Sequence, residues 1–360
     1  MSAAELTQDD FPREAAVPVR RLTQRRLPRW APWLFLVVAA AVGSGIGAAA
    51  GLKSHLQWGL IAAAVFVVGQ WAVSASVEGR RRATDRLALS LVGASFLLAL
   101  VPLVAVLAYT ISKGAGKLNG YFLTHSMNGV SALDNTGGVY HALIGTLEQV
   151  GIATLISVPV ALLTAVYLVE YGRGKLAKAI TFFVDVMTGI PSIVAGLFIL
   201  SFWLLTLGFN YSGFAGALAL AILMMPVVVR STEDMLRLVP DELREASLAL
   251  GVPRWRTILK VVLPTALSGI TTGVMLAIAR VAGETAPVLL LVFGNDRINN
   301  DPFSGPQSSL PLFVFEEYGK GNTFSTERAW AGALLLIIIV MLMNVAARVL
   351  ARLKAPKNSR

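Results

Sequence analysis

The 360-residue sequence contains no cysteine, which excludes a disulfide framework, a thiolate metal site and a cysteine nucleophile. Histidine is nearly as scarce. His55, His125 and His141 are scattered, without metal-ligand spacing or the partners that a Ser/His/Asp arrangement needs. Only 14% of residues are charged, against roughly 25% in soluble domains, while 55% are hydrophobic. That deficit excludes disorder and argues against an ordinary water-soluble enzyme; a mean hydropathy of +0.67 places the chain in a membrane. No G-x-x-x-x-G-K phosphate loop is present. Gly116-Lys117, Gly174-Lys175 and Gly319-Lys320 each lack the first glycine, so ATP is not bound by that route.

What the chain has instead is apolar runs near the roughly 20 residues that a membrane span requires. Runs 31–52 and 55–77 are parted only by Lys53 and Ser54; 87–112 follows, and 149–169 extends back toward Tyr140 through Glu148. Between Asp185 and Arg230 lie 44 uncharged residues, too many for one span, with Gly208, Asn210, Ser212 and Gly213 marking a turn between two helices. Run 261–291, interrupted by Arg280 and Glu284, and run 329–347 complete eight spans. With both termini cytoplasmic, inside segments hold 24 of the 31 Lys and Arg residues, outside segments hold six, and Arg280 lies within a span. This topology accounts for the net charge of +10 without nucleic acid. Segment 1–30 reads as a basic cytoplasmic tail touching anionic lipid rather than as a secretory or twin-arginine signal, because its apolar run is too long and seven more spans follow. Trp30, Trp33, Trp58, Trp71 and Trp330 sit near span ends as interfacial anchors.

The inside loop 230–262 carries a short helix. Asp241 is a good N-cap, Gly251 and Pro253 are stop signals, and Leu243, Ala246, Ser247 and Leu250 recur at helical spacing on one face. Such a helix either lies on the membrane surface or docks on a partner. Glu245-Ala246-Ser247, Gly251 three residues on, and Val261-Val262-Leu263-Pro264 after nine more resemble the EAA motif of binding-protein-dependent ABC importer permeases. Ser247 replaces the second alanine and Val261 the isoleucine. The resemblance implies an all-α polytopic membrane protein: a six-helix permease core over 85–352, two extra N-terminal helices over 31–77, and a cytoplasmic tail over 353–360. It also implies that the EAA loop couples the chain to a cytoplasmic ATPase.

Within the membrane, Arg280 and Glu284 stand four apart and are expected on one helical face of the seventh span. Arg280 is sixteen residues beyond Pro264, about 24 Å along a helix. A charge there costs on the order of 3 kcal/mol, so it should face a bundle or wet cavity. Either the pair ties helices together, or Arg280 offers a fork of donors to phosphate or sulfate, with Glu284 holding that fork, repelling a more highly charged anion or accepting a hydrogen bond from a protonated oxyanion. Asp185 lies ahead of Gly189, Pro191 and Ser192, where proline breaks the helical ladder; such breaks occur where they line a cavity or are buried. Asp185 could instead pair with a basic residue at the inner interface.

Residues 185–197, the stretch Gly283-Glu284-Thr285-Ala286-Pro287, Leu310-Pro311-Leu312 and Ala329-Trp330-Ala331-Gly332 resemble the permeases of phosphate ABC importers, the PstA type more than the PstC type. The resemblance implies a substrate pathway at Arg280, Glu284, Asp185 and Thr285, with the break at Gly189, Pro191 and Ser192 lining it. It implies contact with the ATPase through Glu245, Ala246, Ser247, Gly251, Leu243 and Leu250. The implied partners are a PstC-like permease, a PstB-like ATPase dimer carrying ATP and Mg, a PstS-like extracytoplasmic binding protein, and inorganic phosphate. No cofactor or metal is expected on this chain, nor catalysis by it alone. A permease for sulfate or molybdate, a secondary anion transporter and a non-transporting membrane scaffold are the competing readings, the last leaving a costly arginine within the bilayer unexplained.

Overall fold

The computed structural model describes residues 27–354, except 29 and 53; nearly all of the expected tails, 1–30 and 353–360, lies outside the described residues. Every regular element among the described residues is helical. Seven helices are long and apolar enough to cross a membrane, and one pair bent by 107° makes up to eight.

The chain forms two compact units, Met1–Ala105 and Val106–Arg360. In the first, α1 (Ala31–Ala49) and α2 (His55–Glu78) form a hairpin. Small residues let the two backbones meet: a Cβ on Gly43 would lie 2.6 Å from that of Ala62. Helix α3 (Arg80–Gly114) follows and continues into the second unit. The buried carboxylate at the end of α2 is matched by the first turns of α3, where Arg86 Nε lies 2.7 Å from Glu78 Oε2. Leu34, Val37 and Leu60 point outward, as lipid-facing side chains do.

The second unit is built on α5 (Tyr140–Val166), α8 (Gly213–Arg237), α11 (Leu263–Ala282) and α14 (Thr323–Lys354). Between α3 and α5 lies a single turn, α4 (Gly120–Thr124), capped by the Asn119 side chain, which accepts from Phe122 N at 2.9 Å. Helix α8 is central. Leu220, Met224 and Val228 are buried with Ala153, Ala161 and Ala165 of α5 and Ala277 and Val281 of α11 in one apolar core. Alanine at these contacts permits close packing without burying polar atoms, which substitutes for the hydrophobic drive absent in lipid.

The fifth span carries the break expected at Pro191, and the seventh stops earlier than expected. The fifth is broken into α6 (Lys175–Thr188) and α7 (Ser192–Ile199), the latter continued by a wider turn over Leu200–Thr206. Pro191 stands at the head of α7, where its missing N–H costs nothing. The turn expected around 208–213 is present, with Gly208 at φ +74°. The seventh span runs from α10 (Arg254–Thr257) through a wide turn into α11 and stops at Ala282 rather than Leu291. Residues 286–292 form a separate helix, α12 (Ala286–Val292). The long segment after it is more ordered than an open loop: it contains α13 (Leu310–Gly319) and a buried strip at Gln307, Ser308 and Ser309.

Candidate functional site

Three regions concentrate the polar chemistry of the second unit. The first is α9 (Asp241–Ala249), the helix expected in the EAA-like loop. Pro240 takes the cap position, so Asp241 and Glu242 occupy the first turn, where a negative charge complements the helix dipole. The helix ends where expected: Gly251 adopts φ +77°, and Val252 N donates to the Ser247 carbonyl at 3.2 Å. The expected face divides. Ser247 is buried, its hydroxyl 2.9 Å from that of Thr257, whereas Leu243, Ala246 and Leu250 are exposed, Leu250 by 84%. Glu245 is exposed as well. Serine for alanine therefore ties α9 to α10, because its hydroxyl finds a partner that alanine could not.

Arg244 was not singled out by sequence, yet it fixes this helix. Its guanidinium donates to Glu170 Oε1 at 3.1 and 3.2 Å, to the Leu236 carbonyl at 2.8 Å and to the Val239 carbonyl at 2.6 Å. It thus joins α9 to the ends of α5 and α8. The only sequence signal is its place one turn after the acidic start of the helix.

The second region is the pair of broken helices. Gly196 on α7 lies against Pro287 on α12, where a Cβ would come within 2.8 Å of the proline Cα. Gly189 meets nothing beyond its own turn and serves the break rather than packing. Pro191 is exposed and Ser192 half-buried. Arg280 occupies the last turn of α11 and is exposed; Gly283 ends the helix, and Glu284 and Thr285 follow in the break, both half-buried. Glu284 is therefore not one turn along the same helix from Arg280, and no ion pair joins them among the described residues. The cause is Gly283, which ends the ladder between them. Asp185 does not face Arg280 either. It pairs with Arg230, which lies 2.6 Å from Glu233, while Glu233 also pairs with Arg237. Two acids and two bases balance in this network, so the charge of Asp185 is already neutralised.

The third region lies at the opposite end from α9. Arg328 is completely buried, 2.6 Å from Glu317 Oε2, and donates to the carbonyls of Asp134, Thr136 and Ala132 at 2.6, 3.2 and 3.3 Å. Gln149 donates to Gln307 Oε1 at 2.9 Å and to the Ser308 carbonyl at 3.1 Å, pinning segment 307–309 onto α5. Glu316 borders a cleft shared with Thr285, and its carboxyl is pushed up by burial first and by nearby Asp296 second. Neither Arg328 nor the glutamine pair carried a periodic signal, since both bridge segments more than 150 residues apart.

Residues 157–360 match the family described as binding-protein-dependent transport system inner membrane component. The chain is 53% identical over 270 residues to the phosphate transport system permease protein PstA 1 of Mycobacterium tuberculosis, covering 74% of this chain and 88% of that protein. It is 51% identical over 270 residues to PstA of Mycobacterium leprae, covering 75% and 89%, and 40% identical over 273 residues to PstA of Yersinia pestis, covering 75% and 90%. A chain of a bacterial alginate ABC transporter shares the fold, with a TM-score of 0.52 at 14% identity over 75% of this chain and 95% of that one. Seven long apolar helices, the α9 loop and these relatives converge: the chain is a multi-pass membrane protein that belongs to the binding-protein-dependent permease family, among its PstA members.

Proposed function

We propose that this chain is the permease subunit of an ATP-driven phosphate importer, one half of the translocation pathway rather than an enzyme in its own right. The observation that carries the substrate is the match to phosphate permeases across nearly nine-tenths of their length. An importer of this family works with an ATPase and a substrate-binding protein. The finer assignment is a PstC-like sister permease, a PstB-like ATPase dimer and a PstS-like phosphate-binding protein. The membrane is the bacterial cytoplasmic one, with both termini and α9 inside; segment 85–352 is the permease domain, and the 31–77 hairpin is an addition to it.

The exposed apolar side of α9, made by Leu243, Ala246 and Leu250, suits a cleft in the ATPase, with Glu245 beside it. ATP closes the ATPase dimer, α9 moves with it, and the pathway opens outward; hydrolysis returns it inward. Phosphate meets Arg280, which is exposed and has no carboxylate partner among the described residues, so its charge is available to an anion that has lost part of its hydration. Glu284 and Thr285 lie in the adjoining break and offer acceptors for a protonated oxyanion. The break at Gly189, Pro191 and Ser192 supplies irregular backbone on α7, which packs against α12.

The test is radiolabelled phosphate uptake at micromolar concentration with excess sulfate as competitor. Arg280→Ala should abolish uptake while the complex still assembles. Near-normal uptake by that variant would refute the role of Arg280, and sulfate-sensitive uptake by the wild type would favour a broader oxyanion permease.

A further inference from the structure

A polar stripe descends α11 from Arg280 toward the α9 end. Thr265, Ser268, Thr272 and Arg280, with the apolar Leu276 between the last two, recur at three- and four-residue spacing and are all exposed. Thr272 stands eight residues before Arg280, about 12 Å along the helix. There a cavity of about 120 Å³ opens between α11 and α14, lined by Thr271, Thr272, Met275, Leu276, Asn344 and Arg348. Arg348 makes no ion pair or side-chain hydrogen bond among the described residues, so its fork of donors is uncommitted.

We infer that Thr271, Thr272, Asn344 and Arg348 form a second oxyanion site on the inward side of Arg280, built for a tetrahedral anion that still carries a proton. This rests on the phosphate-permease reading above. The hydrogen-bond inventory sets the selectivity. Thr271 donates its hydroxyl proton to the Leu267 carbonyl at 2.8 Å, and Thr272 donates to the Ser268 carbonyl at 2.9 Å. Both oxygens keep lone pairs and act as acceptors. Asn344 spends one amide hydrogen on the Val340 carbonyl at 2.9 Å and keeps the other. The cavity thus presents donors from Arg348 and Asn344 beside acceptors from two threonines. Hydrogen phosphate matches both sets, since its P–O⁻ oxygens accept and its P–OH donates. Sulfate and the phosphodiester of a lipid headgroup have no proton to give the threonines. A second, weaker site also divides the passage from Arg280 into two shorter steps, so that the anion can leave.

The test uses the complete importer in vesicles of phosphatidylcholine alone, and of phosphatidylcholine with phosphatidylglycerol. ATP-driven uptake of radiolabelled phosphate is read alongside equilibrium phosphate binding to the nucleotide-free complex without its binding protein. Arg348→Gln should weaken that binding and slow uptake about tenfold in both vesicle types, with ATPase activity and assembly retained. Thr272→Val keeps the shape and should lower the preference for phosphate over sulfate by about tenfold. Arg280→Ala should stop uptake yet leave the Arg348-dependent binding intact. Unchanged binding and uptake in Arg348→Gln would overturn the site. An effect confined to vesicles with phosphatidylglycerol would overturn it too, by assigning Arg348 to a lipid headgroup. A wild-type complex that imports no phosphate would overturn the permease reading itself, a result distinct from both.

Discussion

Replacing Arg244 with methionine removes the fork that holds α9 while leaving a side chain of similar reach. The guanidinium is 16% exposed and Glu170 13%, so solvent screens this pair only in part. A charged hydrogen bond contributes about 1.5–3 kcal/mol net, and the bonds to Glu170 and to two carbonyls share one side chain, so they do not sum. Loss of the set should cost about 3 kcal/mol locally, roughly a hundredfold shift between held and loosened α9. The α5–α8–α11 core does not include Arg244 and should persist. In reconstituted complexes, ATP hydrolysis and phosphate uptake measured on the same vesicles should part company, with uptake per ATP falling at least about tenfold. Arg244→Lys keeps the charge without the fork and should fall between. Glu170→Gln should cost less than Arg244→Met, and the double variant little more than Arg244→Met alone, because the stranded carboxylate is gone. Wild-type coupling in Arg244→Met, or full additivity of the two single changes, would refute this account of how motion reaches the helices.

Other perturbations test neighbouring parts. Gly251→Leu forces a side chain into φ +77°, a strain of roughly 1–2 kcal/mol, and should loosen the end of α9 and reduce co-purification of the ATPase; normal recovery and transport would show that this loop is not the contact. Gly196→Val places a branched side chain where Pro287 Cα already lies 2.8 Å from the first added carbon, so uptake should fall with the complex assembled, and unaltered transport would mean that α7 and α12 can separate freely. Glu316 has its carboxyl raised by burial, so between the ordinary carboxylate value and the raised one the folded form holds a proton that the unfolded chain releases. Stability should therefore decline as pH rises from the ordinary carboxylate value through the raised one. Glu316→Gln should raise the thermal midpoint of the complex above that range and change it little below, and a pH-independent difference would contradict the burial argument.

Much of the architecture was open to a reader of the sequence because lipid enforces it. Apolar runs must be helical, and the basic residues fall at one set of ends. Residues 241–253 were equally readable, since a helix start, two stop signals and one spaced face lie within thirteen positions. Hidden instead were contacts between distant segments. Arg328 and Glu317 look like ordinary outside charges until the fold lays Ala132, Asp134 and Thr136 over them. Asp185 was readable as a partner for some basic residue, as the structure has it, but nothing in the sequence singled out Arg230, 45 positions away.

Arg280 and Glu284 mark where periodic reasoning itself fails. A four-residue spacing means a shared face only while the helix continues, and one glycine between Ala282 and Glu284 gives no clear stop signal inside a membrane. Gly283 stops α11 because Pro287, four residues on, cannot donate to a continued ladder, so the chain restarts as α12 with the proline in its first turn. The same break separates the two charges and exposes the guanidinium. An intact span would have let Glu284 pair with Arg280 one turn away; the interruption keeps the two charges on separate elements, which is the arrangement that the proposed phosphate contact at Arg280 requires.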